Sequence, residues 1–245
     1  MADLYSSNDD GGIVGVQNAT WANARDDDSG ALSSVASSNS SNFTAVTRFN
    51  ARGGGNTYRV IRSFMWFDTS GITATVESAT IKIFGVTAND GSVIAVKSTA
   101  FGGDGGTALH GDDLDAITGY SAGASLAGNA TTYGPQILTS SWSTSAYNEF
   151  TGTSDLLADM QNNDAVIICF LDYTNDYLNS TPTSSATFNC GGYFTNNAGT
   201  SRDPYIEYEL ASSGYTHDVI GVSAANIGKV NSVATANIGK VNSVD

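Results

Sequence analysis

The chain has 245 residues, of which 40% are hydrophobic and 10% aromatic; that content excludes a disordered polymer and is enough for one large domain or two small ones. Only 14% of residues are charged, and 10 Lys+Arg against 24 Asp+Glu leave a net charge of −14, which disfavours nucleic acid and anionic membrane surfaces as partners. Two cysteines, Cys169 and Cys190, cannot staple a chain of this length or complete a four-ligand zinc site; they read as buried free thiols, with a single disulfide as the other reading.

The first residues have neither a basic start nor an apolar stretch, so no signal peptide is expected. No window approaches the roughly 18 apolar residues of a membrane helix, so no membrane insertion is expected either. Alternation of apolar and polar residues then predicts short strands. Residues 13–17 and 43–49 come first, on either side of polar residues 26–42, which read as a surface loop. Residues 58–68 (YRVIRSFMWFD) form the strongest strand signal, with Trp66 expected inside. In residues 75–86, Ala79, Ile81 and Ile83 share one face and Ser78, Thr80 and Lys82 the other, the pattern of a half-buried strand. Residues 92–98 follow an Ala-Asn-Asp-Gly turn signal, which predicts a hairpin with the preceding strand. Residues 131–145 read as a second polar loop. Ser154–Asn162 is the one helix expected, capped by Ser154 or Asp155, with Leu156, Leu157 and Met160 on one face and Asn162-Asn163 as the stop. Ala165–Asp172 (AVIICFLD) is apolar on both faces and reads as a central strand, followed by strands at 185–194 and 204–210.

Strands at this spacing without a βαβ rhythm predict an all-β domain, a two-sheet sandwich with Greek-key connections, over residues 1–213. Residues 214–245 are a different kind of sequence. Ala-Asn-Ile-Gly-Lys-Val-Asn-Ser-Val runs from 225 to 233 and recurs unchanged from 236 to 244. In this tail Lys229 and Lys240 balance Asp218 and Asp245, so residues 1–213 carry the whole −14. The tail lacks bulk for its own core and is expected to lie extended on something else. At full stretch its last 31 residues reach roughly 100 Å. The repeated Ile227, Lys229, Val230 and Val233, then Ile238, Lys240, Val241 and Val244, suit strand addition to a partner's sheet edge.

Residues for catalysis are sparse. His110 and His217 are the histidines, and no nucleophile-elbow motif selects a serine for either. The glutamates are Glu77, Glu149, Glu207 and Glu209, and the last two alternate within a strand. Asp104, Asp112, Asp113 and Asp115 lie with His110 in a glycine-rich loop whose hard oxygens suit calcium; a solvated acidic loop, with Asp112 opening a short helix, is the other reading. Asp26-Asp27-Asp28 and the pair Asp172/Asp176 are comparable clusters and read as solvated. For stacking on a sugar ring, the candidates are Tyr173 and Tyr177, with Trp142 beside a loop.

Several stretches resemble the jelly-roll domains of the DNRLRE type, relatives of carbohydrate-binding modules found in bacterial surface proteins and phage virion proteins. The likeness runs through residues 62–71 (RSFMWFDTSG), 74–83 (ATVESATIKI), 150–165 and 193–209, ending in Arg-Asp-Pro-Tyr-Ile-Glu. The Ile-Gly-Lys-Val-Asn-Ser-Val blocks resemble carboxy-terminal extensions of phage tail and head structural proteins. The resemblance implies a jelly roll with one short helix and an extended C-terminal arm. It implies a non-enzymatic virion structural protein (a decoration, tail or fibre component) that binds other virion proteins and copies of itself through the arm and is made in the host cytoplasm. The alternative reading is a glycan-binding adhesion module displayed on a virion or cell surface.

Overall fold

The structure, a computed structural model, describes residues 1–27, 39–50, 54–195 and 199–211, and the backbone pairing of 229–230 with 233–234. Backbone contacts divide the chain into two units, Met1–Glu209 and Leu210–Asp245.

The first unit is mostly β: one antiparallel sheet of eleven strands, curled so that it covers its own apolar residues in a sandwich-like fold. In chain order the strands are β1 Ala2–Tyr5, β2 Gly11–Val14, β3 Asn39–Asn50, β4 Asn56–Asp68, β5 Val76–Asn89, β6 Ser92–Lys97, β7 Ile137–Leu138, β8 Tyr147–Thr151, β9 Ala165–Asp172, β10 Ala186–Tyr193 and β11 Tyr205–Leu210. They are ordered β1-β11-β5-β10-β3-β4-β9-β6-β7, with β2 added to β4 and β8 to β5. Two long strands make the curl. β4 pairs with β3 over Asn56–Ile61 and with β9 over Ser63–Asp68, while β5 pairs with β8 over Thr80–Phe84 and then meets β10 at Gly85 and Ala88. Gly85 is required at that hand-over, because a Cβ there would stand 1.8 Å from the Ser143 carbonyl oxygen.

Side-chain alternation in β4 and β9 divides the interior in two. Met65, Phe67, Val166, Ile168 and Phe170 enter one core with Ala79, Ile81 and Ile83 of β5 and Phe150 of β8. Phe64, Ile167, Cys169 and Leu171 enter the other, beneath Trp21, Phe101, Leu114, Leu126 and Tyr177. β9 is therefore central, buried on both faces as its sequence predicts. Each fully buried Phe, Ile or Leu contributes about 1.5–3 kcal/mol. The helix α2, Ser154–Asn162, lies where expected and packs Leu156 and Met160 on the first core; its cap is Thr153, whose hydroxyl accepts from the Leu156 N–H.

Several expectations change. β5 and β6 do not form a hairpin: β6 pairs with β9 and β7, and β5 with β8, β10 and β11. The Asp90-Gly91 turn, with Asp90 at φ 48°, passes the chain from one part of the sheet to another. Residues 131–145 are no mere surface loop, since Tyr133 and Trp142 are buried there. A second helix, α1 at Trp21–Arg25, is capped by the Thr20 side chain and sets Trp21 and Ala24 into the second core. Trp66 is half-buried rather than inside, its ring lying against Gly105. Cys169 and Cys190 are free and buried, in different cores, and burial pushes the Cys190 thiol up to about 12.

In the second unit Lys229–Val230 (β12) pairs antiparallel with Val233–Ala234 (β13). This stretch of the tail is a two-stranded ladder and not one extended strand; valines flanking Asn-Ser carry a hairpin signal that its repeat pattern obscured. Of the arm residues named above, Ile227, Ile238, Lys240, Val241 and Val244 lie outside the described residues, as does His217. Among the described residues no helix is long and apolar enough to cross a membrane.

Candidate functional site

The outward face of β5, β8, β11 and β1 carries the most unusual surface of the first unit. Period-2 alternation decides its membership. In β8, Asn148 and Phe150 are buried, so Tyr147 and Glu149 point out; in β11, buried Ile206 turns Tyr205 and Glu207 out. In β5, buried Ile81 and Ile83 turn Lys82 and Phe84 out, and in β1 the outward residues are Asp3 and Tyr5. At the end of β10 a Cβ on Gly192 would meet Phe43 and Ile83, so the next residue, Tyr193, joins the outer face.

Register then brings the rings into one strip. Tyr5 is cross-strand to Tyr205 with centroids 5.5 Å apart, and Tyr205 meets Tyr147 edge-on at 5.1 Å. Tyr147 is cross-strand to Phe84 at 5.3 Å, and Phe84 meets Tyr193 at 5.7 Å. Such pairs contribute roughly 0.5–1.5 kcal/mol each beyond area burial and hold the rings in place. Two cations lie on the strip. The Arg202 guanidinium stands over Phe84 (5.3 Å) and Tyr193 (5.0 Å) and donates to the Tyr193 hydroxyl at 2.6 Å. The Lys82 ammonium lies 6.0 Å from the Tyr205 centroid, between Glu149 (3.0 Å) and Glu207 (3.1 Å). The Glu149 hydrogen bond, opposed by burial and joined by Glu207, raises the Lys82 pKa above the ordinary lysine value. Burial and neighbouring phenols and acids push the Tyr147 phenol up to about 12. The strip is thus aromatic, partly exposed (Tyr5 is 41% accessible) and internally charge-matched.

The sugar-stacking candidates lie elsewhere. Tyr173 and Tyr177 stack on each other, centroids 5.3 Å apart and 19° from parallel, with Tyr177 buried in the second core. Trp142 is buried in the first core, where its indole N–H donates to the Gly191 carbonyl. The structure therefore brings the two tyrosines together and leaves the tryptophan apart from them.

The acidic loop is held by its own backbone. Asp113 accepts from the His110 N–H at 2.9 Å, Asp104 accepts from the Gly106 N–H at 2.8 Å, and Asp112 lies 3.3 Å from the His110 ring. Asp115 also has a partner of its own. Among the described residues no group of three or more His, Cys, Asp or Glu side chains gathers as metal ligands do.

Two of the acids read as solvated are buried instead. Asp176 receives Nε and Nη2 of Arg62, both at 2.7 Å, while the remaining Arg62 donors reach the carbonyls of Leu114 and Arg25. Arg25 donates to the Asp176 carbonyl at 2.9 Å and to Asp26 at 2.7 Å, and Tyr120 covers both guanidinium groups at 5.5 Å. Burial alone would lower the Arg62 pKa; the Asp176 charge and its hydrogen bonds outweigh that and raise it. Asp172 accepts from the N–H groups of Asn175 and Ser92, closing the turn after β9. A polar cleft of about 430 Å³ lies between Lys97, Asp104, Tyr133 and Asn163. At its floor Asp159 accepts from Lys97 at 2.8 Å, and also from Tyr133 and Asn163.

No family model matches the sequence, and no curated protein is significantly similar to it.

Proposed function

We propose that this chain is a non-enzymatic structural protein of a phage-type virion, a decoration, tail or fibre component whose β unit is positioned by its C-terminal arm. In this reading the curled sheet is a two-sheet jelly roll. The observation that supports the function best is the division of the chain into an acidic β unit and a separate, charge-neutral unit carrying an eleven-residue repeat. A body bearing the whole −14 repels other free copies, whereas a neutral arm approaches a partner without that cost. Repetition of the same segment gives each chain two equivalent attachment points, so modest contacts sum. The use of Asp176, Asp159 and Asp113 as structural links fits a scaffold better than a catalyst. In this role the protein is made in the host cytoplasm and acts on the particle surface, against other virion proteins and further copies of itself.

The test compares the full chain with a version ending at residue 213, by sedimentation and electron microscopy at rising concentration. Ordered assemblies from the full chain alone, lost on truncation, are the expected result. Identical sedimentation of the two over the whole concentration range overturns the arm mechanism.

A further inference from the structure

We infer that the aromatic strip on the outer face of β1, β11, β5 and β8 is a binding site for a neutral polysaccharide chain. The inference places the adhesion reading on Tyr5, Tyr147 and Tyr205 rather than on Tyr173, Tyr177 and Trp142, and it is independent of what the arm does.

Three observations carry it. Half-exposed rings in unbroken contact across four strands are costly to leave wet, and an outward face of a solvated sheet ordinarily carries Ser, Thr, Lys and Glu. The rings are already fixed by edge-to-face pairing and by Arg202, so a ligand meets a surface with little ordering left to lose. Charge then selects the occupant. Lys82 is matched by Glu149 and Glu207, and Arg202 is spread over two rings, so the strip offers no unpaired cation to a phosphate, sulfate or uronate. The net charge of −14 further opposes anionic polymers and a second copy of this chain. What remains is a ligand with apolar C–H faces for the rings and uncharged hydroxyl groups at its rim for the carboxylates and Tyr tips. A pyranose chain has that make-up, and a strip several rings long suits a polymer better than a monosaccharide.

The experiment is native affinity electrophoresis of the full chain in gels containing soluble β-glucan, xylan or galactomannan, with alginate and polygalacturonate as anionic counterparts. Retardation by at least one neutral polymer is expected, with affinity reduced at least tenfold in Tyr205→Ala. Tyr5→Ala, at an exposed edge position whose loss the fold tolerates, is expected to weaken binding several-fold with an unchanged melting temperature. Absence of retardation in every neutral gel, retardation by the anionic polymers alone, or undiminished binding by both variants overturns the inference. A Tyr205-dependent dimer in sedimentation also overturns it, by assigning the strip to a second copy.

Discussion

Arg62 and Arg202 are both stacked on tyrosine rings, yet the two faces of the first unit use them differently. Arg62 is fully buried, doubly bonded to Asp176, and closes α1, the loop at Leu114 and the turn after β9 onto the sheet. Arg202 is exposed, lies flat over Phe84 and Tyr193, and closes nothing. Where water is excluded, an unmatched charge costs several kcal/mol, so each partner becomes indispensable to the other. Where water remains, the same stacking is worth about 0.5–1 kcal/mol and leaves a surface that can still exchange its solvent for a ligand. The difference lies in hydration, not in residue type: identical side chains make a lock inside and a landing place outside.

The sharpest way to break that contrast is to remove one carboxylate from the inner face. Asp176→Ala leaves Arg62 charged and buried and also strips a contact from Arg25, so a loss of about 3–5 kcal/mol is expected in denaturant unfolding. Arg202→Ala, the outer counterpart, is expected to cost under about 1 kcal/mol. Equal losses in the two variants would erase the distinction.

Acidity probes the inner links more gently. Burial, against hydrogen bonds from Thr195 and Ser6, pushes Asp10 up to about 6 from 3.8, and burial likewise pushes Asp172 up to about 6 against bonds from Asn175 and Ser92. A folded-state pKa above the unfolded one means the native chain binds more protons between pH 3.8 and 6, so stability falls as pH rises across that window and is level above it. The span corresponds to at most about 3 kcal/mol per group. Melting temperature is therefore expected to rise from pH 7 to pH 4.5, with a shallower slope in Asp10→Asn and in Asp172→Asn than in the native chain. A slope unchanged in both variants would show that neither carboxylate titrates in the window. Asp159 acts in the opposite direction: burial is outweighed by hydrogen bonds from Lys97 and Tyr133, its pKa is lowered, and its contribution is lost only below pH 3.8.

The sequence made some of this legible and hid the rest for physical reasons. β9 and α2 are found at their expected bounds because each is set locally, one by an unbroken apolar run and the other by Leu-Leu-Met spacing closed by Asn-Asn. The partner of β5 was not legible, since Asn-Asp-Gly fixes a chain reversal but not the part of the sheet that the chain enters afterwards. Asp176 looked like any solvated acid because the arginine that neutralises it lies 114 residues away. The aromatic strip was half legible. Alternation places Lys82 on the outward face of β5, but the meeting of Tyr5, Phe84, Tyr147 and Tyr205 depends on register between strands distant in sequence.

The smallest expected effect gives the comparison its finest resolution. Glu149 is 59% exposed at its side chain and bonds Lys82 at 3.0 Å, while Glu207 stands on the other side of the same ammonium at 3.1 Å. Replacing Glu149 with Gln keeps shape and a hydrogen-bonding oxygen, and Glu207 continues to neutralise Lys82. The stability change is therefore expected to stay within about 1 kcal/mol and to shrink further in high salt, as exposed ion pairs do. Adding Glu207→Gln removes the second anion and leaves Lys82 without either carboxylate, so the double variant is expected to lose more than the two single ones together. That non-additivity, read in urea unfolding at low and high salt, measures how dry the outer face is: a coupling that persists at high salt would make Lys82 a second Arg62, and one that vanishes keeps the strip a wet surface open to a ligand.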